Sequence, residues 1–170
     1  EITFPKAPLA SNRSDRRIVG SLSVDGLVNG KYSATATGSQ QYPLRSAFEN
    51  PLDSTQRAQA ANSIAGGTFD GAQGDSLVGF AGKDLAATPS LSVLIRNGHA
   101  ASMAGSNAIL TNPFGSMSGF TTLAQQIETA GPRRFPIDAV KLLGYGESHM
   151  EFRVTLPVGW HVELPPKVAA

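Results

Sequence analysis

Eighteen glycines and eleven prolines in 170 residues cut this chain into short segments, a division suited to strands joined by turns. In several of those segments apolar and polar residues alternate strictly, the pattern of a strand with one buried face. Ile18, Gly20, Leu22 and Val24 share one side of the first, Asp25-Gly26 and Asn29-Gly30 supply turn chemistry, and Tyr32, Ala34 and Ala36 alternate with Lys31, Ser33, Thr35 and Thr37. The spacing predicts a hairpin over about residues 16–38. Near the end of the chain Met150, Phe152, Val154 and Leu156 face one side of a strand over Ser148–Leu156, while His149, Glu151, Arg153 and Thr155 face the other. Pro157-Val158-Gly159 is expected to turn that strand back. Trp160, Val162 and Leu164 then alternate with His161 and Glu163, so a second hairpin buries the single tryptophan on the side of Phe152. Further strands are expected at Gln73–Phe80, Ser90–Met103 and Asn107–Thr111, the last two joined by Ala104-Gly105-Ser106.

Helical spacing begins at Gln40. Leu44 and Phe48 lie four apart, Pro51 interrupts, and Asp53 with Gln56 forms a capping box for a second helix. That helix carries Ala58, Ala61, Ile64 and Ala65 inward and is expected to stop at Gly66-Gly67. A third is expected over Phe120–Thr129, where Phe120, Leu123, Ala124 and Ile127 mark one face and Gly131-Pro132 ends it. Together these segments predict an α+β fold, an antiparallel β-sheet or sandwich with two or three helices packed on one side.

A chain of this length, 41% hydrophobic, has enough apolar residues for one domain that buries about 68–70% of its unfolded surface. Residues 1–12 read as a linker and 13–170 as a single β-rich domain. Lys6-Ala7-Pro8 opens like a linker and the sequence stops straight after Leu164-Pro165-Pro166-Lys167. The domain is therefore expected to be truncated at its C-terminal end.

Charge narrows the partners. Fourteen Lys and Arg stand against thirteen Asp and Glu, scattered rather than striped, which leaves no electrostatic footprint for nucleic acid or an anionic membrane surface. No stretch approaches the roughly 20 apolar residues of a membrane-spanning helix, and Glu1-Ile2-Thr3-Phe4-Pro5 lacks the basic start and apolar run of a signal peptide. The chain has no cysteine, which removes disulfides, thiolate metal ligands and cysteine nucleophiles together.

Each candidate for chemistry has a plainer reading that wins. His99, His149 and His161 are spaced as surface histidines rather than as three converging zinc ligands. Residues Gly66–Asp75 superficially resemble a calcium turn, but they occur once and lack the twelfth-position Glu of an EF-hand. Gly115-Ser116-Met117-Ser118-Gly119 puts methionine where a nucleophile elbow needs serine. Gly144-Tyr145-Gly146 lacks the third glycine of a dinucleotide fingerprint, and Arg133-Arg134 reads as a solvated helix end. Trp160 alternates as a core residue does. The expectation is no catalytic, cofactor-binding or metal-ligating residue in this chain and no bound cofactor.

The order of motifs resembles the region that follows the papain-like catalytic core in bacterial transglutaminase-like proteins with uncharacterised flanking domains. The residues that carry the resemblance begin with Leu9-Ala10-Ser11-Asn12-Arg13, leading into Arg17-Ile18-Val19-Gly20-Ser21-Leu22-Ser23-Val24-Asp25-Gly26 and Leu27-Val28-Asn29-Gly30. They continue with Arg45, the Arg134-Phe135-Pro136 step, and Phe152-Arg153-Val154-Thr155-Leu156-Pro157-Val158-Gly159-Trp160-His161-Val162-Glu163-Leu164-Pro165. The resemblance implies a non-catalytic accessory domain of a larger protein, periplasmic or extracellular. Its partners would be the catalytic core and flanking domains of the same polypeptide, with a homodimer through a sheet edge as a further possibility. The family's Cys-His-Asp set lies upstream of the region matched here. A carbohydrate- or peptide-binding β-sandwich module is the alternative, and it would need Tyr32, Tyr42, Tyr145 or phenylalanines exposed along a groove.

Overall fold

The computed structural model describes residues 8–79, 82–105, 107–115 and 146–163. Strands β1 (Arg13–Leu22) and β2 (Leu27–Ala36) form the expected hairpin, with Ile18 opposite Tyr32 and Leu22 opposite Val28. The turn between them closes when Ser23 N–H donates to the Leu27 carbonyl, and Gly26 sits there at φ +79°, a backbone region that side chains other than hydrogen strongly disfavour. Asn29-Gly30, expected as turn residues, lie within β2 instead. There Asn29 marks a bulge against the next strand and its side-chain oxygen accepts from the Asn97 backbone N–H.

Five strands make the main sheet, in the order β3 (Gln73–Gly79), β4 (Ser90–His99), β2, β1, β7 (Glu147–Thr155). All neighbours are antiparallel except β1 and β7, which run parallel from Arg13 opposite Glu147 to Ser21 opposite Thr155. The fold is α+β, and its sheet is mixed rather than wholly antiparallel. The stretch expected as one strand over Ser90–Met103 divides at Ala100. After it, β5 (Ala101–Ala104) pairs with β6 (Asn107–Leu110) as a separate two-stranded sheet.

Helix α1 spans Tyr42–Ala47 and α2 spans Ser54–Thr68. The capping box at α2 is complete: Asp53 accepts from Gln56 N–H and the Gln56 side chain accepts from Asp53 N–H. Helix α2 runs through Gly66-Gly67 rather than stopping there, because Ala65 and Phe69, both buried in the core, hold its last turn against the sheet. Packing outweighs the cost of about 1 kcal/mol that each helical glycine carries relative to alanine. The helix lies against β3 and β4 through Ala61 and Ala65, whereas Ala58, expected to face inward, is exposed.

Ile18, Leu22, Val28, Ala65, Phe69, Ile95 and Ala100 form the larger core cluster, and Ala61, Leu77 and Val93 a second under α2. Phe152, Val154, Leu156 and Trp160 pack half-buried against the first. The Phe152 and Phe69 rings meet at 5.8 Å between centroids, tilted by 53°. Val24 departs from its expected side and is 62% exposed, because the turn carries it off the sheet. The returning strand expected at Trp160–Leu164 does not form in residues 160–163. Trp160 N–H instead donates to the Pro157 carbonyl at 3.1 Å, and β7 pairs with β1. The helix expected over Phe120–Thr129 lies outside the described residues. No described helix is long and apolar enough to cross a membrane.

Candidate functional site

Alternation places Arg13, Asp15 and Arg17 of β1 and His149, Glu151 and Arg153 of β7 on the face opposite the core, and the parallel register sets them side by side. Asp15 is opposite His149 and Arg17 opposite Glu151. Glu151 is held between two arginines: it accepts a hydrogen bond from Arg153 Nη2 at 2.7 Å and forms an ion pair with Arg17, whose Nε stands 3.0 Å away. Asp15 accepts from Arg13 Nε at 2.8 Å, and His149 Nδ1 stands 3.6 Å from the same carboxylate. That hydrogen bond and the Asp15 charge raise the Arg13 pKa. Farther across the face Asp75 accepts from Arg96 at 2.9 Å, which holds its carboxyl below the ordinary carboxylate range. Val19 and Leu94, 40% and 39% exposed, lie between these pairs. The face is broad, wet and nearly self-neutralised.

The three histidines are not brought together. His99 closes β4 beside Asp70, whose backbone carbonyl accepts its N–H, His149 joins the ion pairs, and His161 is exposed after the β7 turn. Among the described residues no group of three His, Cys, Asp or Glu side chains gathers to hold a metal ion. The segment Gly66–Asp75 divides between the end of α2, the Asp70 bridge and the start of β3, and its Asp75 is engaged by Arg96. Residues 116–119, 133–134 and 144–145 lie outside the described residues, and with them the Ser-Met-Ser turn, the arginine pair and Tyr145. Tyr32 packs half-buried against the core, where burial raises its pKa against an opposing effect of the Arg16 charge. Tyr42 is exposed on α1.

A cleft of about 430 Å³ that no sequence pattern marks is lined by Phe48, Glu49, Pro51, Leu52, Arg57, Gly79 and Lys83, among others. Its walls come from three separate segments, so no local pattern announces it. One wall is fastened by Arg45, which donates to the carbonyls of Asp84 and Ala87 at 2.8 Å each and of Gly82 at 3.4 Å. Gly82 N–H in turn donates to the Phe48 carbonyl at 3.0 Å. Asp84 steadies the same loop by accepting from the N–H groups of Ala86 and Ala87.

Compared with known protein families, curated proteins and solved structures, the chain gives no match.

Proposed function

We propose that this chain is a non-catalytic accessory domain of a larger bacterial transglutaminase-like protein, positioning or regulating a catalytic core elsewhere in the same polypeptide. The observation that supports the reading is the pairing of β1 with β7. The two segments richest in the resemblance, Arg17–Gly26 and Phe152–Glu163, are far apart in sequence yet adjacent in the fold, with Ile18 opposite Phe152 and Gly20 opposite Val154. They form one structural unit. The ion-paired outer face, with apolar Val19 and Leu94 between the charges, has the mixed character of surfaces that meet neighbouring domains. Under this reading the protein works in the periplasm or outside the cell, and β7 is the edge through which a second copy would pair.

Reading the gene on both sides of the chain tests the proposal. An upstream segment with Cys, His and Asp in transglutaminase-like order is the expected result. A gene that encodes no such segment overturns it. The second reading, a carbohydrate- or peptide-binding module, is favoured by the cleft beside Phe48.

A further inference from the structure

The cleft beside α2 is formed wholly by this chain, so what it binds does not depend on the parent protein. We propose that it takes a small apolar carboxylate of about dipeptide size. Its volume of about 430 Å³ lies within the range of roughly 300–1,000 Å³ usual for small-ligand sites. Pro51 and Leu52 give an apolar wall, and Phe48 packs beside Gly79 at the base. The charged groups at the cleft are Arg57 and Lys83 against Glu49, an excess of one positive charge that complements an anion.

Arg57 is set in place by its own backbone. Its Nε donates to the Leu52 carbonyl at 3.1 Å, which uses one of the five N–H donors of a guanidinium and leaves a fork suited to a carboxylate. The facing wall is preorganised as well, because Arg45 and Asp84 fix the loop that carries Lys83. Arg45 is committed to carbonyls there, so the cations that meet a ligand are Arg57 and Lys83. A rigid wall reduces the ordering cost of binding.

Titration of the ¹⁵N-labelled chain followed by NMR tests this, with N-acetyl-Leu-Phe, its C-terminal amide and octanoate as probes. The free acid should shift the amides of Leu52, Arg57, Gly79 and Lys83, and the amide should bind several-fold more weakly. Arg57→Gln and Lys83→Gln should each weaken the acid about three- to tenfold, the range for partly exposed charge pairs. Arg96→Gln, a cation removed from the opposite side of the sheet, should change nothing. Lys83 lies in a loop outside the core, so K83Q keeps the test readable if R57Q disturbs the Leu52 turn. Binding of both the dipeptide acid and octanoate supports the shared apolar-carboxylate chemistry, and binding of the dipeptide acid alone assigns it to a peptide C-terminus. The proposal is overturned if neither carboxylate shifts these amides, if acid and amide bind alike, or if both substitutions leave affinity unchanged.

Discussion

Gly20 and Gly30 stand opposite each other across β1 and β2, so close that a Cβ built on either would meet the backbone of the other's strand. On Gly20 it would strike the Asn29 carbonyl and lie 2.9 Å from Gly30 Cα. Gly20→Ala and Gly30→Ala should each destabilise by about 1–3 kcal/mol, the usual cost of overpacking a fixed site. Gly67 is the contrast, since a Cβ there meets nothing within 4 Å, and Gly67→Ala in the exposed helix should stabilise by about 0.5–1 kcal/mol. Urea denaturation of the three variants checks the pair of opposite signs. Equal midpoints for G20A and wild type would refute the close approach.

Trp160 packs on the core cluster with Phe152 and Leu156 while remaining half-buried. Trp160→Ala should therefore cost about 3 kcal/mol, the lower end of the range for truncating a large aromatic core residue. In a chain of this size that lowers Tm by roughly 6–12 °C. An unshifted melting curve would mean that the ring carries no packing energy.

The Asp53 carboxylate caps α2 through Gln56 N–H at 2.8 Å. Asp53→Ala should cost about 1 kcal/mol, and Asp53→Asn should recover most of it, because the amide oxygen accepts the same hydrogen bond. Thermal melts of the two variants separate the cap from simple loss of charge. If D53N melts as low as D53A, the negative charge near the helix N-terminus is the operative part.

Asp75 has its carboxyl pKa lowered, first by the Arg96 hydrogen bond and then by Ser76. A depressed folded-state pKa favours folding above the unfolded value, and the contribution disappears as pH falls through the folded value. The window is acidic, below the ordinary carboxylate range. Arg96→Gln should move the Asp75 titration, followed by carboxyl NMR, back up toward that range. Because both groups are exposed, the melting temperature at neutral pH should scarcely change. A titration curve that R96Q leaves in place would remove Arg96 as the cause.

Local signals in the sequence were readable where the chemistry was local. The Ile18–Leu22 alternation gave the first hairpin, and the Asp53–Gln56 spacing gave the start of α2 to the residue. Pairing was not readable in the same way. Alternation from Met150 to Leu156 identifies a strand but says nothing of its neighbour, and Pro157-Val158-Gly159 looked like a turn into a hairpin. The turn forms, yet the open edge of β1 accepts β7 while Trp160 folds onto the core. Val24 leaves the face its periodicity predicts because the backbone turns there. Gly66-Gly67 misled because a helix end is set by what its last turn packs against. The cleft has no local signature, because Leu52, Gly79 and Lys83 share no sequence pattern.

The parallel seating of β7 against β1 also has a consequence for biosynthesis. β1 and β2 can zip together as soon as both have left the ribosome, but the other edge of β1 must wait for a strand made more than a hundred residues later. At elongation rates of about 5–20 residues per second, that interval lasts several seconds. Throughout it the newborn chain presents an unpaired strand of ten residues, Arg13–Leu22, to every other extended segment nearby. The arginines at positions 13, 16 and 17, with Asp15 between them, put charge along that waiting edge, and charge is what keeps a nascent strand from pairing with the wrong neighbour.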